Sequence, residues 1–160
     1  MSKVIFLDYD GVVNIPMWKQ KEDGTYCCTY NFPGNDKVNN EQAVQWLSEF
    51  CLKYNYSIVV TSTWRFDKNY KECLINAGLR PGIEILGRTK EIRNKDDYWL
   101  DRGYEIDEYL KEHPEITDYL IIDDEDCFLK HQKKYFIKTR DDVGFMEKDF
   151  IKAEKIIEAK

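Results

Sequence analysis

Val4-Ile5-Phe6-Leu7-Asp8-Tyr9-Asp10-Gly11-Val12-Val13-Asn14 is the stretch whose reading decides the fold. Four consecutive apolar residues describe a strand buried on both faces, as in a parallel sheet covered by helices. Asp8 and Asp10 then fall at its C-terminal edge. Strand alternation sends both side chains to one side, and Gly11 lets the chain bend at once, so that the second carboxylate can swing over the first. Two acidic groups this close resist joint ionisation unless a metal ion or a shared proton compensates, and oxygen-only ligands suit a hard ion such as Mg2+. An ordinary Asp-Gly turn is the plainer alternative. A calcium loop of the EF-hand type fits poorly, because it needs Asp or Asn where Val12 stands and a helix where the apolar strand runs.

Outward from this stretch, strands and helices alternate. Ile15 to Asp36 carries Trp18, Tyr26, Tyr30 and Phe32 among Lys, Gly and Pro without a helical period, which reads as an ordered excursion with a small hairpin around Tyr26 to Tyr30. It either overhangs the carboxylates as a flap or packs along the edge as a surface loop. Ala43, Val44, Leu47, Phe50, Cys51 and Tyr54 recur at helical spacing, with Asn39 or Asn40 as N-cap. Ser57 to Thr61 is a second buried strand, and Tyr70, Cys73, Leu74 and Ala77 mark a helix that stops at Gly78. Ile83 to Leu86 gives a short third strand, Gly87 to Arg102 reads as loop, and a helix begins near Arg102 and closes at Pro114. Tyr119 to Ile122 and Tyr135 to Lys138 are further strands, and Phe150, Ile151, Ala153, Ile156 and Ile157 lie on a C-terminal helix. This order predicts an α/β fold: a Rossmann-like, three-layer arrangement with a mainly parallel sheet of about five strands, right-handed crossovers and no large cap domain.

The 160 residues are expected to form one domain, 1–160, with 15–36 as a small flap insertion. A formal charge of −6 gives no electrostatic footprint for stable duplex DNA binding. The five cysteines are odd in number, include the adjacent pair Cys27 and Cys28, and show no C-x-x-C spacing, so reduced thiols in a cytoplasmic protein are expected rather than a disulfide framework. No apolar stretch approaches the length of a signal peptide or a membrane span.

In a parallel sheet all strand C-termini share one edge, and ligands bind there. The first strand delivers Asp8 and Asp10 to that edge, the second Thr61 and Ser62, and the fourth Asp123 and Asp124. Each cluster alone is explicable as turn chemistry; their joint occurrence at three buried strand ends points to a site. His113 and His131 lie outside these clusters and read as surface residues, and the basic run Lys130 to Lys134 reads as a solvated face.

In these motifs and their order the chain resembles the haloacid dehalogenase-like (HAD) phosphohydrolases. Asp8-Tyr9-Asp10-Gly11-Val12 is similar to their first motif, Thr61 or Ser62 to the second, and Asp123-Asp124 to the acidic fourth. The third motif, a basic residue near a helix start, is assigned to Arg102, with Arg88, Lys90, Arg93 and Lys95 as rivals. The resemblance implies a Mg2+-dependent phosphomonoesterase. Asp8 would form an aspartyl-phosphate and Asp10 would serve as acid and base; Asp8, Asp123 or Asp124 and the Asp10 carbonyl would hold the metal. Thr61 or Ser62 would donate to a phosphoryl oxygen, and Arg102 would neutralise charge on it. Trp64-Arg65 resembles a corner in the phosphatase half of polynucleotide kinase-phosphatases, which implies a second phosphate or sugar on Arg65 and either a stacked base on Trp64 or a packing role for it. Uncapped relatives accompany RNA-repair enzymes, so the implied substrate is a phosphorylated small molecule such as a nucleotide, or a nucleic-acid end. Two other readings remain, a noncatalytic phosphate- and metal-binding module and a receiver-type phospho-acceptor; the motif order disfavours the second.

Overall fold

The structure, a computed structural model, describes residues 2–160. Its centre is a five-stranded parallel sheet of β1 (Ser2–Leu7), β4 (Ser57–Val60), β5 (Ile85–Arg88), β6 (Ile116–Asp123) and β7 (Phe136–Lys138), in the order β5-β4-β1-β6-β7. A separate antiparallel hairpin joins β2 (Met17–Gln20) to β3 (Tyr26–Thr29), pairing Trp18 with Cys28 and Gln20 with Tyr26. Four helices complete the chain: α1 (Glu41–Tyr54), α2 (Tyr70–Asn76), α3 (Arg102–Glu112) and α4 (Glu147–Glu158).

The apolar runs form buried strands because both faces of the sheet are covered. Ile5, Leu7, Ile58, Val60, Leu120 and Ile122 pack toward Val44, Leu47 and Phe50 of α1, Leu74 of α2 and Ala153 of α4. Val4, Phe6, Val59 and Ile121, the alternate positions, pack toward Ile106 and Tyr109 of α3. Alternation within uniformly apolar strands thus builds two separate cores, one per face. The result is the expected three-layer, Rossmann-like architecture.

Some boundaries differ from the sequence reading for local reasons. Asn40 caps α1, accepting from Ala43 N at 3.2 Å, while Asn39 is bonded to the backbone of Ile15 through both ends of its amide. β6 begins three residues early, because Ser2 and Lys3 extend β1 and need partners at Ile116 and Asp118. β5 lies two residues later than its apolar run and ends on Arg88, where pairing to Val60 outweighs the polarity of the side chain. A 3-10 turn over Thr63–Phe66, absent from the sequence reading, is capped by Ser62. All five cysteines are free thiols, and no helix among the described residues is long and apolar enough to cross a membrane.

Candidate active site

β1 is flanked directly by β4 and β6, with Leu7 paired to Val60 on one side and to Ile122 on the other. The next residue of each strand, Asp8, Thr61 and Asp123, therefore stands at one level along the sheet edge. Thr61 N donates to Leu7 O at 2.9 Å and Asp8 N to Ile122 O at 3.1 Å, which fixes that level. β1 is also where the chain changes flank, β4 and β5 being laid on one side and β6 and β7 on the other. A crevice opens at such a switch point.

Beyond Asp8 the chain turns tightly. The backbone N–H groups of Val12, Val13 and Asn14 all donate to Tyr9 O at 3.1, 2.9 and 2.8 Å, and Gly11 N donates to Asn14 O at 2.7 Å. Gly11 has φ of +77°, and a Cβ on it would lie 2.4 Å from Asp124 Cγ. Only glycine lets this loop and the acidic pair at the end of β6 close on each other. Thr139, just past β7, braces the loop from the far side through its hydroxyl on Gly11 O at 2.7 Å.

Asp8, Asp123 and Asp124 each bring a carboxylate oxygen within 4.8 Å of the others, with Asp8 and Asp123 buried and Asp124 half-buried. Burial, together with the neighbouring Asp124 and Asp10, pushes the Asp8 carboxyl up to about 6, even though Arg102 pulls the other way. Burial and the charge of Asp8 push Asp123 up to about 8. Arg102, the first residue of α3, lies 3.3 Å from Asp8 Oδ2 and hydrogen-bonds Asp123. Burial works against the guanidinium charge, but Asp8 and Asp123 outweigh it and hold its pKa above the ordinary arginine value. One arginine against three converging carboxylates leaves excess negative charge, and an all-oxygen donor set of this kind fits a hard divalent cation.

Asp10 is held differently. Its Oδ1 accepts from the indole N–H of Trp64 at 3.1 Å and from Asn14 Nδ2 at 2.7 Å. Both donors take the same oxygen, which orients the carboxylate and leaves Oδ2 for chemistry. Trp64 is 0 % exposed and packs on Tyr9, whose hydroxyl donates to Tyr70 O at 2.6 Å. A base cannot stack on a ring so enclosed, so Trp64 packs the loop and orients Asp10.

The expectation for Arg65 needs correction. Its side chain is buried, and all five donors are engaged: Nε on Thr89 O, Nη1 on Thr61 O and Ser62 O, and Nη2 on both oxygens of Glu105. Nothing remains to bind a phosphate or sugar, and Arg65 instead ties the end of β4 to α3 and to the chain beyond β5. Thr61 and Ser62 also part company. Ser62 Oγ accepts from Trp64 N at 3.2 Å as the cap of the 3-10 turn, whereas Thr61 Oγ1 is the one buried side-chain polar atom among the described residues with no partner.

Among the basic residues weighed for the third motif, Arg102 is the one that meets the carboxylates. Arg88 is bonded to Arg65 O and lies over the Tyr70 ring, Lys90 pairs with Glu112, Arg93 pairs with Glu91 and Asp97, and Lys95 is exposed. His113 and His131 pair with Glu115 and Asp107 away from this edge. Three contributors escaped the sequence reading as parts of a site. Asn14 adjoins the opening motif and could have been found from that position; Glu105 and Thr139 have no local signal, since their partners lie 40 and 128 residues away.

A family described as HAD domain in Swiss Army Knife RNA repair proteins matches residues 4–150. The chain belongs to this family. The match spans β1 to the start of α4 and so includes every strand tip of this HAD domain's acidic edge. No curated protein matches the chain. Membership makes HAD-type phosphohydrolase chemistry the general expectation for this edge, and HAD domains generally use Mg2+.

Proposed function

We propose that this HAD domain is a Mg2+-dependent phosphomonoester hydrolase acting through an aspartyl-phosphate on Asp8, with a nucleotide or a nucleic-acid end as substrate. The observation that carries the reading is the convergence of Asp8, Asp123 and Asp124 at one level of the sheet edge with Arg102 against two of them. The association of the family with RNA repair supports a nucleic-acid end as the substrate class.

Asp8, Asp124 and Asp123 would hold the cation with the Asp10 carbonyl, and the bound ion would supply positive charge to offset repulsion between nucleophile and phosphate. A carboxylate oxygen of Asp8 attacks phosphorus while the P–O ester bond breaks, and the departing oxygen takes a proton from Asp10. A water molecule then gives a proton to Asp10 and its oxygen to phosphorus, releasing phosphate and restoring Asp8. Thr61 Oγ1, buried and unpartnered, donates to an oxygen of the transferring group, and Arg102 opposes its charge. Each such donor typically contributes a hundredfold or so in rate.

The test is phosphate release with and without Mg2+ from nucleoside monophosphates, sugar phosphates, a phosphopeptide and 3′- or 5′-phosphorylated oligonucleotides. Metal-dependent release that disappears in Asp8→Asn is the expected result. Absence of release from the whole panel would favour a noncatalytic phosphate-binding module on the same fold.

A further inference from the structure

Beside Asp10 the sheet edge opens into a cleft of about 340 Å3. Asp10, Gly11 and Asp124 line it, with Tyr30 and Phe32 from the chain leaving β3 and with Asp141. Phe32 is 66 % exposed and Tyr30 38 %. Burying a ring of this size is ordinarily worth about 1.5–3 kcal/mol, so two rings held open at the mouth of a cleft form a surface for an apolar, flat partner. The cleft carries three carboxylates and no lysine or arginine. Asp141 lies outside the metal-holding cluster and forms no ion pair among the described residues, so a cation on the other acids leaves its charge in place.

In phosphoryl transfer the attacking and leaving oxygens lie roughly in line, with the leaving oxygen next to the acid that protonates it. Asp10, the acid, lines this cleft; Arg102, which opposes the charge of the phosphoryl oxygens, lines a different one with Thr63, Phe66 and Trp99. An alcohol protonated by Asp10 would therefore leave between Asp10 and the rings of Tyr30 and Phe32.

We propose that this cleft is the leaving-group subsite, that Tyr30 and Phe32 are its specificity-determining residues, and that it takes the nucleoside bearing the phosphate to be removed, free or at a nucleic-acid end. The inference rests on the phosphatase reading above and adds to it which face reads the substrate and how. Stacking on Phe32 and Tyr30 accepts any base, because every base has a π-face. Base-on-aromatic stacking is sequence-tolerant, so purine and pyrimidine nucleotides are bound alike.

The test compares kcat/KM of the wild-type chain, Phe32→Ala and Tyr30→Ala on adenosine monophosphate, uridine monophosphate and glycerol 3-phosphate, using whichever of the 3′- and 5′-nucleotides turns over faster. Both side chains are exposed enough for truncation to leave the fold intact, which circular dichroism checks. The wild type is expected to prefer both nucleotides to glycerol 3-phosphate, and each variant to shrink that preference by about 5- to 150-fold, the worth of one stacked base. A wild type that turns over all three substrates without preference, or variants that lower all three equally, would overturn the subsite while leaving the phosphatase intact. Failure of the wild type on all three substrates while a phosphorylated oligonucleotide is hydrolysed and its hydrolysis is unaffected by either substitution would overturn the subsite alone, and failure on the oligonucleotides as well would remove both.

Discussion

Asp10 shows how one residue's role depends on what reaches it. Its Oδ1 is occupied by the Trp64 indole and the Asn14 amide, so in the proposed reaction Oδ2 is the oxygen that would exchange a proton with the leaving group. Orientation of this kind is worth most when the leaving group needs protonation and least when it departs unaided. Trp64→Phe, or replacement of Trp64 by the isosteric benzothienyl amino acid that lacks only the N–H, is therefore expected to lower kcat/KM for an alkyl phosphate at least about tenfold more than for p-nitrophenyl phosphate. Equal losses on the two esters would mean that Trp64 serves packing alone. Thr61 is tested at the same scale. Thr61→Val removes the unpartnered hydroxyl and keeps the shape, so kcat should fall by about a hundredfold with thermal stability unchanged or raised, since no protein hydrogen bond is lost.

At the level of elements, Arg65 holds three pieces of the sheet edge together. It links the end of β4, through Thr61 and Ser62, to Thr89 beyond β5 and to Glu105 in α3, and α3 in turn carries Arg102 three residues before Glu105. The pair is buried, with side-chain exposures of 4 % and 6 %, so breaking it strands a charge in the interior. Glu105→Ala should destabilise the chain by about 3–5 kcal/mol, read as a lowered urea midpoint. A change below about 1 kcal/mol would show that water enters and solvates the freed guanidinium. The hairpin β2–β3 behaves as an addition to the edge, since its ladder pairs only within itself and joins no strand of the main sheet.

For the whole molecule, the buried acidic edge couples stability to pH. Burial, with Asp124 and Asp10 beside Asp8 and with Asp8 beside Asp123, pushes Asp8 up to about 6 and Asp123 up to about 8 in the folded chain, against about 3.9 for an unfolded Asp. Between those values the folded chain retains protons that the unfolded chain has released, so this contribution is fully present at the acid end and is lost as pH rises through 6 to 8. A divalent cation held by these carboxylates, as the proposed function requires, would bind their ionised forms in the folded state and restore stability where it was lost. In a chelator, Tm is expected to fall from pH 5 to pH 8, and millimolar Mg2+ should raise Tm more at pH 8 than at pH 5. A Mg2+ effect of equal size at both values would argue that the carboxylates are already ionised at pH 5.

The sequence by itself determined the parallel sheet, because uniformly apolar runs between amphipathic helical segments can be buried only with helices on both faces. It also determined which polar residues stand at the strand tips, since Asp8, Thr61 and Asp123 follow directly on such runs and Asp10, Ser62 and Asp124 come one or two residues later. Tertiary structure alone decided what those residues do. Arg65 beside the edge reads as a phosphate ligand until Glu105, 40 residues on, takes its donors. Thr61 and Ser62 are equivalent in sequence until one caps a turn, and Arg102 is one of five candidate cations until the start of α3 sets it against Asp8 and Asp123. The physical reason is range: burial pattern and turn chemistry are written into neighbouring residues, whereas the partner of a charge or a hydroxyl is fixed by register and crossover between segments distant in the chain.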